Sequence, residues 1–244
     1  MTAQRRDQIS LNSDMGEALG LHTFGNDGAL MPLIDVANVA CGFHSGDPAT
    51  MDATVALARQ HGVLVGAHPG LPDLVGFGRR EMKLTPEEVE HLVRYQTAAL
   101  VGFLAKYEMT LGHIKPHGSL YGMLSRDEEL AAAAARVARD YGVPIYGLAG
   151  TAHQRAAAQV GAEFVGELYV DLDYAADASL IILRQPHATD PAAAAVRAKR
   201  AAADGTVLAV DGTELRIEFD SICVHSDTAN AGEVAAAVRA ALAA

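Results

Sequence analysis

Short apolar runs alternate with longer amphipathic stretches along most of the chain. Seven runs read as strands: 9–13, 35–40, 63–67, 110–115, 144–149, 163–170 and 222–225. Most are near-continuously apolar, the pattern of parallel strands buried on both faces. Helix signals fall between them. Asp47-Pro48 offers an N-cap and an N1 proline, and Gly62 closes that helix. Thr85-Pro86-Glu87-Glu88 is a capping box opening a helix to about 106. Ser125 reads as the cap of a helix over 128–141, closed by Gly142. Further helices run from Thr151 to Gly161, from Asp190-Pro191 to about 203, and from about Gly232 onward. The segment 207–219 alternates instead, and its Asp211-Gly212 predicts a type I′ hairpin. The first crossover, 16–33, is glycine-rich and only weakly helical. The pattern predicts an α/β fold: a (β/α) barrel of seven or eight mostly parallel strands, forming one domain over 1–244. A doubly wound open sheet is the rival, but neither a Gly-x-Gly-x-x-Gly turn nor a Gly-x4-Gly-Lys-Ser/Thr loop is present. Gly76-Phe77-Gly78-Arg79-Arg80 precedes no strand–helix unit and reads as a mobile loop.

Polar residues collect at the ends of these strands. Asn12 and Asp14 close the first, His44 follows the second, and His68 the third. His113, Lys115 and His117 close the fourth, Glu167 and Asp171 the sixth, and Asp220 and His225 the last. In a barrel these positions share the C-terminal rim, where active sites form. Asn12 and Asp14 are two apart and share a face, and Glu17 follows after a glycine turn. These carboxylates suit general base work or a metal, or equally an Asx-turn with a surface Glu. Asp47 serves as an N-cap rather than a catalyst. His113 and Lys115 point to one side, toward the interior if Ile114 faces the helices. A buried Lys needs either a partner or a chemical role. It could polarise a carbonyl, hold a carboxylate, or pair with Asp14 or Glu167. Cys41 and Cys223 read as small buried residues. The His-rich rim could hold a divalent metal such as zinc, although no compact ligand motif is present.

Composition narrows the function. Half of the 244 residues are apolar, so a large core can form. The formal charge of −11 argues against nucleic acid or an anionic membrane as partner. Two cysteines cannot staple the fold. Residues 1–7 carry no apolar signal core, and the most apolar stretch, 98–105, is too short to span a bilayer. The expectation is a cytoplasmic protein.

The motifs together resemble the LamB/YcsF family. They are Leu11-Asn12-Ser13-Asp14-Met15-Gly16-Glu17, Ala37-Asn38-Val39-Ala40-Cys41-Gly42-Phe43-His44-Ser45-Gly46-Asp47-Pro48, Gly66-Ala67-His68-Pro69-Gly70, Gly76-Phe77-Gly78-Arg79-Arg80, Lys115-Pro116-His117-Gly118-Ser119-Leu120-Tyr121 and Ile222-Cys223-Val224-His225. They lie in order over nearly the whole chain. The resemblance implies a distorted TIM-like barrel related to the glycoside hydrolase/deacetylase group. It implies the A subunit of ATP-dependent 5-oxoprolinase, which with subunits B and C converts 5-oxo-L-proline to L-glutamate. ATP would then be bound mainly by a partner, since no nucleotide motif is visible in this chain. The expected catalytic set is Asp14, His44, His68, Lys115 and His117. The expected substrate-binding set is Asn12, Glu17, His113, Glu167, Asp171 and His225. A stand-alone metal-dependent amidase or deacetylase, and a non-catalytic binding or scaffolding subunit, are the alternatives. Three positions depart from the family pattern: Leu172 replaces an arginine, while Ala178 and Ser226 replace glycines.

Overall fold

A computed structural model describes residues 9–22, 24–181 and 188–243. The start of the chain, 1–7, lies outside the described residues, as does the final residue of the last predicted helix. The strands are β1 (Ser10–Met15), β2 (Val36–Ala40), β3 (Leu64–His68), β4 (Ile145–Gly147), β5 (Phe164–Tyr169), β6 (Asp173–Tyr174), β7 (Leu180–Ile181), β8 (Thr206–Leu208), β9 (Glu214–Arg216) and β10 (Ser221–Cys223). Six of them form one parallel sheet in the order β3-β2-β1-β10-β5-β4. Its two edges are joined through one residue, Ile114, which bridges Ala67 and Ile145 in parallel. Lys115 N–H donates to the Ala67 carbonyl at 2.9 Å, and Tyr146 N–H to the Ile114 carbonyl at 2.9 Å. The ring therefore closes as an irregular barrel. The segment predicted as a strand over 110–115 runs along β3 through hydrogen bonds of Gly112, His113, Lys115 and His117, while toward β4 the ladder stops at Ile114 because Pro116 lacks an N–H.

The helices are α1 (Asp27–Leu30), α2 (Pro48–His61), α3 (Pro86–Lys106), α4 (Gly118–Arg126), α5 (Glu128–Tyr141), α6 (Ala152–Val160), α7 (Pro191–Asp204) and α8 (Ala231–Ala243). Asp47 caps α2 through the N–H groups of Ala49 and Thr50, and Thr85 with Glu88 forms the capping box of α3. The cap of α5 is Asp127, which accepts from Glu129 and Leu130. Ser125, predicted for that role, lies inside α4 and donates to the Gly122 carbonyl at 2.8 Å. Helix α4 itself is not predicted, because Gly118 and Gly122 lower its intrinsic propensity. It forms through burial of Leu120, Tyr121, Met123 and Leu124.

The alternating segment is indeed an antiparallel pair, β8 with β9. Its turn is not type I′, which needs positive φ at both central residues. Gly212 alone has it (φ 87°), and its N–H donates to the Ala209 carbonyl at 3.0 Å. The segment around Gly76–Arg80 is tied down rather than loose: Gly78 N–H donates to the Asp73 carbonyl, Arg80 pairs with the Asp73 carboxylate, and Arg79 reaches Asp227 at 2.6 Å. Among the described residues no helix is long and apolar enough to cross a membrane.

Candidate active site

Parallel strands deliver every second side chain into the barrel. On β1 these are Asn12 and Asp14; on β2, in register with Asp14, the inward residue is Asn38. The Asn38 amide donates to Asp14 Oδ1 at 2.8 Å and to Asn12 Oδ1 at 2.9 Å. Its own carbonyl oxygen takes the His113 Nε2–H at 2.6 Å. The next strand must leave room for that imidazole. A Cβ at Gly66 would stand 2.1 Å from the His113 ring, so the glycine is required by the approach rather than by a turn.

Lys115 crosses the interior from the single-residue rung. Its Nζ lies 3.0 Å from Asp14 Oδ1, 3.2 Å from Glu167 Oε1, 3.0 Å from Cys223 Sγ and 3.3 Å from Asn12 Oδ1. Burial works against its charge, but the Asp14 carboxylate and its neighbours outweigh that and raise the ammonium pKa well above the usual lysine range. Burial likewise opposes the charge of Asp14, but nearby His68 and then Lys115 hold this carboxyl well below its usual range. A charged Lys115–Asp14 pair thus sits at the floor of the site. The Glu167 carboxylate also accepts from Tyr169 OH at 3.1 Å.

Above this pair is a histidine cluster. His68 closes β3, with Nδ1 2.7 Å from the Lys115 carbonyl and Nε2 3.3 Å from Asp14 Oδ2. His117 stands before α4, with Nε2 2.8 Å from the Phe77 carbonyl and Nδ1 3.0 Å from His68 Nε2. The His44 ring is stacked on that of His117, 3.7 Å between centroids and 5° from parallel. Glu17 completes the group, its Oε1 3.4 Å from His44 Nε2 and 3.6 Å from His117 Nδ1, with no hydrogen bond formed. Burial, then the Asp14 charge, push the Glu17 carboxyl well above its usual range. Burial lowers His44 and His117 well below the usual histidine value, so both rings are neutral. Donor atoms of Glu17, His44, His68 and His117 all lie within 4.8 Å of one another, as do those of Asp14, Cys223 and His225.

The cluster opens into a cavity of about 510 Å³ at the C-terminal ends of the strands. Asp14, His68, Lys115, His117, Asp171 and His225 line it. His225 and Asp171 form a pair at 3.1 Å. Burial opposes the imidazolium, but Asp171 outweighs it and raises His225 to about 9. The structure therefore brings all eleven expected residues into one connected network. Asn12, Glu17, His44, His113 and Glu167 do not line the cavity; they stand behind the residues that do. Asn12 has its polar atoms engaged within the barrel, and His113 its Nε2, where they brace Asn38 and Lys115.

Several residues of the site are not singled out by sequence reasoning. Asn38 stands out there only as part of a motif, yet its inward register with Asp14 signals its place. Tyr169 follows from Glu167 by the same two-residue spacing. Arg79, Asp227 and Arg197 reach the cavity wall from loops and from α7, and no spacing signals that. The departures from the family pattern have local consequences. Leu172 lines the cavity, and its carbonyl accepts from Arg197, so a guanidinium still stands on that wall. The Ser226 hydroxyl donates to Glu17 Oε2 at 3.4 Å. Ala178 occupies left-handed backbone (φ 65°), the conformation that a glycine adopts without cost.

Comparison with known proteins follows the same lines. A family model described as the LamB/YcsF family matches residues 9–244. A lactam utilization protein of Emericella nidulans is 47% identical over 228 residues, covering 92% of this chain and 90% of that protein. A protein named as the A subunit of 5-oxoprolinase, from Thermus thermophilus, is 46% identical over 239 residues, covering 96% of each chain. Another so named, from Limosilactobacillus fermentum, is 49% identical over 224 residues, covering 90% of this chain and 89% of that one. The crystal structure of a lactam utilization protein from Thermus thermophilus superposes with a TM-score of 0.89 at 44% identity, covering 97% of this chain and 96% of that one.

Proposed function

The chain belongs to the LamB/YcsF family, and from that premise we propose that it is the A subunit of a 5-oxoprolinase, a hydrolase that opens the cyclic amide of 5-oxo-L-proline to give L-glutamate. The observation that carries the reading is the convergence of Asp14, His68, Lys115, His117 and His225 on one cavity. Water adds to the lactam carbonyl carbon, the C–N bond breaks, and the ring nitrogen takes a proton to become the amino group. Lys115 stands where it can steady the oxyanion. The His225 imidazolium and the guanidiniums of Arg79 and Arg197 suit the substrate carboxylate. Asp14 is a weak base because its carboxyl is held low; its charge instead keeps Lys115 and His225 protonated. The ring nitrogens facing the cavity, His68 Nε2 and His117 Nδ1, are better placed to activate water.

A five-membered lactam is a stable amide. Phosphoryl transfer from ATP to its carbonyl oxygen, with ADP leaving, would make the carbonyl carbon electrophilic enough for water to add; C–N cleavage then gives an acyl phosphate, and a second water releases phosphate and glutamate. In our reading ATP is handled mainly by partner subunits B and C, and the complex works in the cytoplasm. The test is ATP-dependent glutamate release from 5-oxoproline by the products of the neighbouring genes, with this chain present or omitted. Release should require it, and His68→Asn or Lys115→Ala should abolish it. Undiminished turnover by a folded variant would refute that residue's role. Amide hydrolysis by the isolated chain without ATP would instead favour a stand-alone amidase.

A further inference from the structure

We propose that His68 Nε2, His117 Nδ1 and the Glu17 carboxylate form a binding site for one divalent first-row transition metal ion, with zinc the best match. The argument begins with tautomers. A carbonyl oxygen carries no proton, so a ring nitrogen bonded to one must supply it. His68 Nδ1 faces the Lys115 carbonyl at 2.7 Å, and His117 Nε2 faces the Phe77 carbonyl at 2.8 Å. The far nitrogen of each ring thus spends its proton on a carbonyl, and the two near nitrogens face each other 3.0 Å apart. Two ring nitrogens at that distance must share a cation, either a proton or a metal ion. Backbone carbonyls that fix the far nitrogen are the usual outer support of metal-binding histidines.

Glu17 adds a carboxyl donor, which a bound ion would hold in its charged form. Its Oε1 is buried without a hydrogen-bond partner, 3.6 Å from His117 Nδ1, and Ser226 supports its other oxygen. Tetrahedral zinc with ligands at about 2.0–2.1 Å places donors about 3.3–3.4 Å apart, between the 3.0 Å and 3.6 Å spacings observed. Two histidines with one carboxylate is a catalytic donor set that leaves a position open, and here His68 and His117 both border the substrate cavity. An ion held there would occupy both nitrogens, so water activation would pass from the two imidazoles acting as bases to Lewis-acid chemistry. His44 is a neighbour rather than a ligand in this arrangement. Lone pairs lie in the ring plane, and parallel rings 3.7 Å apart cannot aim theirs at one point. The other donor group, Asp14 with Cys223 and His225, already has the Lys115 ammonium on Asp14 and Cys223.

The proposal concerns binding and does not rest on the identity of the substrate. The experiment takes the full chain stripped with chelator, then titrates zinc and cobalt(II) by equilibrium dialysis with elemental analysis. One equivalent should bind, and cobalt should give visible d–d bands without thiolate charge-transfer absorption. His117→Ala and Glu17→Gln should each weaken affinity by more than roughly 100-fold, beyond the usual effect of outer-shell changes. Cys223→Ser should bind as the parent does. Should His117→Ala not fold, X-ray absorption of the zinc-loaded parent should show imidazole scattering and no sulfur. The absence of saturable binding in the folded parent would overturn the proposal in favour of a proton shared between His68 and His117. Binding that survives in folded His117→Ala, or sulfur ligation, would overturn the ligand assignment. Neither result depends on whether 5-oxoproline is hydrolysed.

Discussion

Replacing Lys115 by methionine keeps most of the side-chain volume and deletes the ammonium. In the parent that ammonium is 3.0 Å from Asp14 and 3.2 Å from Glu167, and the lysine is only 2% exposed. Its removal strands two buried carboxyl groups in the barrel. Breaking a buried pair in this way costs about 3–5 kcal/mol, far more than losing an exposed one. With a urea m-value of about 2–3 kcal/mol/M, the unfolding midpoint should fall by about 1–2.5 M. The loss should depend on pH. Asp14 has a depressed pKa in the fold, so its charge contributes stability above its unfolded pKa, and that contribution fades as pH falls through the folded value. The difference between parent and Lys115→Met should therefore narrow in acid. Adding Asp14→Asn to Lys115→Met should cost less than the sum of the single changes, because only Glu167 is then left stranded instead of two carboxyl groups. Urea titrations of the four proteins at pH 8, pH 4 and pH 3 measure all of this, since the Asp14 contribution fades only below its unfolded pKa of about 3.9. A loss below about 1 kcal/mol for Lys115→Met at pH 8, the scale of an exposed ion pair, would refute the view of the pair as buried and mutually dependent.

The other expectations are simpler to state. Gly66→Ala should destabilise by at least about 1–3 kcal/mol in thermal melts, since its Cβ would stand 2.1 Å from the His113 ring, while Gly102→Ala on the open face of α3 should be neutral or slightly stabilising. Ala178→Gly should raise stability by up to about 1 kcal/mol by relieving the left-handed backbone, and a loss instead would show that no strain is stored there. His225 has a folded pKa of about 9, above its unfolded value, so its contribution is complete below pH 6.5 and disappears as pH rises through 9. Urea midpoints of the parent should fall across that window, and those of His225→Gln should not follow. Asp127→Ala should cost about 0.5–2 kcal/mol by uncapping α5, whereas Ser125→Ala should change far less.

The helix caps at Asp47 and Thr85 with Glu88, and the glycine closing α2, are legible in the sequence because each depends on atoms within four residues. So is the rim. Strand periodicity alone sends Asn12 and Asp14, or His113 and Lys115, to one side, and strand ends in a parallel barrel share one face. Ser125 misleads as a cap because two capping residues lie two apart, and only packing of the buried face of α4 selects Asp127. The segment at 110–115 pairs along β3 as its apolar character suggests, but its pairing toward β4 stops at Ile114, because Pro116 lacks an N–H.

Local chemistry along the chain thus decides most of the element types and the residues carried to the mouth of the barrel. The fold alone decides which of those residues meet. Asp14 and Lys115 are separated by 101 positions and touch because Ile114 forms the one rung joining the sheet edges. His68 and His117 turn ring nitrogens toward each other because two distant carbonyls, of Lys115 and Phe77, hold their other nitrogens. Such tautomers and pairings arise from contacts across the barrel, and no spacing within the chain encodes them.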